Sequence, residues 1–193
     1  ASCLVGSEMC IRDRYLSFDL YQKVFAKKKD SDVLIIDIDE NSLGKFGQFP
    51  WNRTVFAKIL DQVNTSDPKA IGFDIFFTEK DKQSPEEIIK SYDLIPNNVK
   101  DFLDLKSPDD VLSEKLKESK SVIAVLGSAV PSHSNYDRKA KAKFLSRGGD
   151  PKQFTYKYPY SIGSLEKLEK DVKGLGSISF LDQLDGIIRS LPL

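Results

Sequence analysis

Apolar residues in this chain occur in two alternating patterns. Short continuous runs, rich in β-branched residues and leucine, recur at Val33–Ile38, Ala70–Phe77 and Ser121–Val130. That length and composition predict strands buried on both faces. Between the first two runs the spacing turns helical. Val55, Phe56, Ile59, Leu60 and Val63 form one apolar stripe on a helix that Asn52 can cap and that begins at Arg53. Thr65, Ser66, Asp67 and Pro68 end that helix. Strand, helix and strand within about 45 residues predict a βαβ unit with parallel strands and a right-handed crossover.

The pattern repeats further on. Ser107, Pro108 and Asp109 supply a cap, a proline at the first helical position and an acid in the first turn. Val111, Leu112 and Leu116 form the buried side of that helix, and the run from Ser121 continues the sheet. A further helix is expected over Glu86–Tyr92, a turn over Asn41–Gly47, a long polar loop over Pro131–Tyr160 and a short helix over Ser164–Lys170. Gly174–Leu181 and Gly186–Leu193 read as an antiparallel hairpin turning around Leu184–Asp185–Gly186. The expected fold is α/β and three-layer-like. Its sheet is mixed but mainly parallel, built from βαβ units and closed by that C-terminal hairpin.

The start of the chain differs in character. Tyr15–Phe25 is amphipathic, with Leu16, Leu20 and Val24 at helical spacing, and Lys27, Lys28 and Lys29 follow as a polar break. That break reads as a solvated linker, with a membrane-surface patch as the alternative. Residues 1–14 hold both cysteines, Cys3 and Cys10, and the single methionine, Met9. Their CLVGSEMCIRDR string resembles a translated sequencing adapter and is set aside as non-native. The native frame is then expected to begin upstream, and the apolar IIRSLPL ending reads as cut short. A remainder without cysteine is compatible with an oxidising compartment.

Composition narrows the function. The 193 residues carry 29 basic and 29 acidic side chains, a formal charge of zero, where a nucleic-acid binder usually carries a basic excess. No window approaches the roughly 20 apolar residues of a membrane-spanning helix. Candidate chemistry centres on Asp37 and Asp39, which alternate near the end of the first predicted strand and so share a face, with Glu40 at its tip. Ligands of open parallel sheets bind beyond the strands' carboxyl ends. Asp74 is expected inside the second strand, where an unpaired carboxylate is costly, and Asp74→Ala is expected to destabilise by roughly 2–4 kcal/mol. If the two strands are neighbours, three carboxylates converge on a cation or polar ligand, with Arg53 as counter-ion. The alternative is structural: Asp39 and Glu40 cap the next turn, and Asp74 pairs with Arg53 or Arg189.

The D-x-D after an apolar strand also resembles magnesium-dependent phosphohydrolases of the haloacid-dehalogenase type, with Asp37 as nucleophile and Asp39 as acid/base. Glu40, Asn41 and Ser42 depart from that motif. His133, the single histidine, has no nucleophile elbow to serve. There is no P-loop, and Gly174–Leu175–Gly176 precedes a strand rather than following one. Trp51 reads as a core anchor, with a stacking platform as the alternative. The basic run Arg138, Lys139, Lys141, Lys143 and Arg147 reads as a solvated loop, with contact to anionic lipid or ligand as the alternative.

Several ordered blocks carry a family resemblance. DVLIIDIDENSLGKFGQFPWNR, AIGFDIFFTEKD and GLGSISFLDQLDGIIRSLPL resemble successive blocks of the type-two CHASE domain, with Phe18–Asp19–Leu20 as the short acidic segment before them. Phe49 stands where the family's first tryptophan falls, and Asn52 where a proline follows Trp51. The segments over Tyr92–Lys106 and Lys139–Gly149 are longer than the family pattern. The resemblance implies an extracytoplasmic sensor of a bacterial receptor, periplasmic or extracellular and anchored in the cell membrane. Residues 15–31 would be juxtamembrane and 32–193 the sensor, cut at its C-terminus. Flanking membrane helices would lead to a cytoplasmic adenylate or diguanylate cyclase or kinase, in a homodimer. The domain itself would be non-catalytic, with no cofactor or metal, and would take an unidentified small-molecule or environmental ligand. Its expected polar site comprises Asp37, Asp39, Glu40, Trp51, Arg53 and Asp74, with Asp185 and Arg189 from the closing block. A structural interaction domain without a ligand is the remaining alternative.

Overall fold

The computed structural model describes residues 8–25, 32–92, 102–131, 136, 138, 139, 141, 149, 150, 153 and 157–179. The chain divides into two units, Ala1–Lys45 and Phe46–Leu193, each treated by itself. Lys27–Lys29, His133, Lys143, Arg147, Asp185, Arg189 and the second hairpin strand at 186–193 lie outside the described residues.

The first unit opens on helix α1, Glu8–Phe25. It starts within the stretch set aside as non-native and runs on through the amphipathic segment. The stripe formed by Leu16, Leu20 and Val24 is exposed, at 60–65%. The run Val33–Ile38 corrects the sequence reading. It forms no strand with the described residues, and Val33, Leu34, Ile35 and Ile36 are 60–85% exposed. A strand exists only by pairing its backbone with a neighbour, and residues 33–38 share no ladder with the described strands. Composition alone supplied the β-propensity, which depends heavily on context. The described strands therefore do not include the first arm of the expected βαβ unit. The expected turn after it is also corrected. Residues Glu40–Phe46 form helix α2, because the Asp39 carboxylate accepts hydrogen bonds from the Ser42 N–H (2.9 Å) and hydroxyl (2.6 Å). That is an N-cap, and it turns a segment rich in turn residues into a helix start.

The second unit carries the sheet. Helix α3, Arg53–Asn64, begins where expected, with the Asn52 side chain accepting from Thr54 N at 2.7 Å. Its stripe buries Phe56, Ala57 and Leu60 at 3% exposure or less. Strand β1 covers only Ile71–Phe73. Beyond it Asp74 is exposed, and Phe77 lies in the core. Phe77 N donates to the Ser164 hydroxyl (3.1 Å) and its carbonyl accepts from Leu165 N (2.8 Å). Helix α4 is Pro85–Tyr92 and helix α5 is Pro108–Glu118, the latter capped by Ser107. Strand β2 follows at Ser121–Ser128, then β3 at Tyr160–Ile162, helix α6 at Glu166–Asp171 and β4 at Gly174–Ser177.

Strand β2 pairs with every other described strand. It runs parallel to β1, with Ile71 opposite Ser121 and Phe73 opposite Ile123, and parallel to β4, with Val122 opposite Gly174 and Val125 opposite Ser177. Its far end pairs antiparallel with β3, Leu126 opposite Ile162 and Ser128 opposite Tyr160. The fold is α/β with an open, mixed and mainly parallel sheet. The antiparallel strand of the described sheet, however, is β3, a three-residue strand at the end of the expected polar loop. The first segment of the expected C-terminal hairpin instead supplies a parallel strand. Val122 explains both glycines of Gly174–Leu175–Gly176: a Cβ at either would lie 3.3 Å from its side chain. The motif is a packing feature of β4, as its position before a strand suggested.

Helix α3 packs on α5, and α5 on α6. Leu112, Leu116, Ile123 and Leu168 are completely buried where these helices meet the sheet. Apolar burial of this kind, at about 25 cal/mol per Å², is the main stabilising term of such a domain.

Candidate functional site

In the first unit the acids of the D-x-D pattern are exposed. Asp37 accepts from the Ile38 N–H at 2.8 Å. Asp39 caps α2 and also accepts from the Asn41 amide at 3.2 Å. The Ser42 hydrogen bonds, the hydroxyl first, hold its carboxyl below the ordinary range. Glu40 occupies the first turn of α2, where a negative charge complements the helix dipole. Asp39 thus takes the structural role open to it from sequence. Asp37 and Asp39 belong to the first unit and Asp74 to the second, and the strand expected to carry Asp37 is not among the described strands. Asp74, expected to be buried and paired, is exposed, and its side chain has neither ion pair nor hydrogen bond among the described residues.

The second unit concentrates buried charge around Arg53. Its backbone N–H opens α3 and donates to Asp81 Oδ2 at 2.6 Å, while its Nη2 donates to the Glu79 carbonyl at 3.1 Å. The guanidinium lies 4.6 Å from the centre of the Phe77 ring, a cation–π contact. Its Nε faces Asp109 Oδ1 at 3.5 Å. Asp81 joins the two helices: its Oδ1 accepts from Gln83 N (2.8 Å), and its own N–H donates to Asp109 Oδ2 (2.9 Å). Arg53, Asp81 and Asp109 are 8%, 5% and 6% exposed, so all three charges sit largely out of water. Burial pushes the Asp109 carboxyl above its ordinary range, against the Asp81 N–H and Arg53, which act the other way.

Trp51 connects to this cluster through Phe56, whose ring centre lies 5.2 Å from that of Phe77. Its indole N–H donates to the Gly47 carbonyl at 2.7 Å, and its ring lies between Phe46 (5.2 Å between centres) and Phe56 (6.3 Å). At 6% exposure it is a core anchor rather than an open stacking platform. The sequence reading thus selected Trp51 and Arg53 but missed the acids that meet Arg53. Asp109 was visible only as a first-turn acid and Asp81 only as part of a charged connection.

A second buried cluster was also missed. Arg138 Nε reaches both oxygens of Glu169 at 3.1 and 3.0 Å, and its Nη1 donates to Ser161 Oγ (2.7 Å) and O (3.1 Å). The Tyr136 hydroxyl also donates to Glu169, and burial followed by that hydrogen bond pushes the phenol up. Lys141 donates to the carbonyls of Lys170 (2.7 Å) and Val172 (2.5 Å) at the end of α6. Arg138 and Lys141, read as part of a solvated basic run, are therefore bound to α6 and β3.

No group of three or more His, Cys, Asp or Glu among the described residues is placed to hold a metal. What the geometry defines is an open-sheet α/β domain whose charged groups tie its elements together. The chain belongs to the CHASE2 domain family, whose pattern it matches over residues 8–193. This is an extracytoplasmic sensor family of receptors rather than a catalytic one. Comparison with curated proteins and with solved structures gave no match. No helix among the described residues is long and apolar enough to cross a membrane.

Proposed function

We propose that this chain is the stimulus-sensing part of a bacterial transmembrane receptor, and that it passes its state to a cytoplasmic cyclase or kinase. The observation that carries the reading is the CHASE2 match, which spans residues 8–193. The domain works as part of a homodimer held by flanking membrane helices. A stimulus acts by binding one of two conformations more tightly, since a ligand shifts an equilibrium only by its differential affinity. The Arg53, Asp81 and Asp109 cluster supports this reading, because it links the first turns of two helices through one short connection. A change there is communicated to both α3 and α5.

The test is made in the full-length receptor. Deleting residues 32–193 is expected to abolish regulation of the output activity while leaving the protein in the membrane. Unchanged regulated output after that deletion would defeat the proposal.

A further inference from the structure

We propose that Asp109 is a proton-binding site whose occupancy makes or breaks the ion pair between the first turns of α3 and α5, so that the Arg53 cluster is a pH-responsive latch. The argument begins with charge. Arg53, Asp81 and Asp109 are each more than nine-tenths buried, and one cation with two carboxylates leaves a net charge of −1. A single proton neutralises the cluster.

Hydrogen bonding decides where that proton goes. Both Asp81 oxygens already accept backbone N–H bonds, Oδ2 from Arg53 at 2.6 Å and Oδ1 from Gln83 at 2.8 Å. Asp109 Oδ2 is likewise taken by Asp81 N at 2.9 Å. Asp109 Oδ1 has no hydrogen bond, and neither has the Arg53 Nε opposite it. Oδ1 is therefore the oxygen open to protonation, and the proton lands on the atom that holds the guanidinium at 3.5 Å.

The consequence is local. A protonated Oδ1 presents a donor to a donor, and Arg53 loses the one carboxylate within ion-pair distance of its side chain among the described residues. It keeps the Glu79 carbonyl and the Phe77 ring, which hold it less firmly than a charge. The surrounding charges bear on both forms. Arg53 from α3 and Lys167 from α6 favour the carboxylate, and Asp81 disfavours it. Lys80 of the same connection also senses Asp109, while Lys167 is itself paired with Asp110 on α5. Burial, the largest influence, favours the proton.

The latch goes beyond the receptor reading and is tested without it, on the full 193-residue chain. Trp51, the single tryptophan, lies two residues before Arg53 and reports the start of α3. Carbon-13 NMR is expected to show the Asp109 Cγ titrating above its ordinary 3.8, and Trp51 emission to change with the same midpoint. In Asp109→Asn the emission should stay flat over that range, at the wild-type acid value. Glu87→Gln should keep the transition. An Asp109 midpoint at or below the ordinary value overturns the proposal, and so does a wild-type transition retained in Asp109→Asn. A raised midpoint with unchanged Trp51 emission also overturns it. The wild-type measurements decide the matter even if the variant fails to fold. The receptor deletion can fail while this titration succeeds, and the reverse, so the two ideas stand or fall separately.

Discussion

Replacing Arg53 by methionine keeps much of the side chain's length and apolar stem but removes its charge. Asp81 and Asp109 are then left as two buried carboxylates joined by a backbone hydrogen bond, with no cation within ion-pair distance of Asp109 Oδ1 among the described residues. Breaking a buried pair from one side costs about 3–5 kcal/mol. The cluster has one escape, which is to protonate Asp109. At pH 7, about three units above an ordinary aspartate pKa, that costs about 4 kcal/mol at about 1.4 kcal/mol per unit, so the destabilisation should be limited to roughly that value. The limit falls by about 1.4 kcal/mol for each unit of acidification, and the penalty should shrink towards pH 4. Asp109→Asn should behave differently. An asparagine oxygen can still accept from Asp81 N, and the substitution removes a charge whose folded-state pKa is already raised. A raised carboxyl pKa means that the folded state takes up the proton more readily than the unfolded chain. With respect to this group, stability therefore rises as pH falls through the folded pKa, reaching its full value below the unfolded one. The neutral replacement should accordingly cost at most about 1 kcal/mol at pH 7. Urea unfolding followed by Trp51 emission between pH 4 and 7 measures both variants. Equal losses for the two, or a pH-independent loss for Arg53→Met, would refute the account.

Three further outcomes follow from the same structure. Glu169→Gln breaks the pair with Arg138, whose side chains are 2% and 7% exposed; it should lower stability by about 3–5 kcal/mol in the same urea assay, and a wild-type midpoint would show that the pair contributes nothing. Asp74→Ala, expected from sequence to be severe, should instead stay within about 0.5 kcal/mol of wild type, as surface substitutions do; a large loss of thermal stability would mean that the carboxylate has a partner. Asp39→Ala should weaken α2, seen as faster hydrogen exchange at Ser42 N. Because the Asp39 pKa is lowered, its contribution is present above the ordinary value and lost as pH falls through the lowered one, so wild-type α2 should loosen in acid and the variant should not.

Features that depend on neighbours in sequence were legible in advance. Asn52 before Arg53 and Ser107 before Pro108 mark the starts of α3 and α5 because a cap acts within one turn. The apolar stripe through Phe56 and Leu60 identifies the buried face of α3 for the same reason. Val33–Ile38 shows where such reasoning stops. Its residues have the composition of a central strand, yet a strand is a relation between two backbones, and composition says nothing of the partner. Asp39 was ambiguous rather than hidden, since cap and ligand were both open to it from sequence, and the geometry of Ser42 selects the cap.

The Arg53 site was half legible for a related reason. Trp51 and Arg53 lie two positions apart and are unusual enough to attract notice, but Asp81 and Asp109 lie 28 and 56 positions beyond Arg53, in segments with ordinary local explanations. Asp109 fits its helix as a favourable first-turn acid, and that fit conceals its second role. The two roles reinforce each other. The helix start that makes an acid welcome at the first turn of α5 also leaves backbone donors there, and α3 presents its own first turn through the Asp81 carboxylate. Two helix N-termini that are each favourable to negative charge can hold two buried acids near one arginine, where a single arginine alone would leave an excess charge. The same arrangement leaves Asp109 Oδ1 without a hydrogen bond. A cluster stabilised by two helix starts and balanced by one cation is thus sensitive to a single proton, and its sensitivity is concentrated at the contact between α3 and α5.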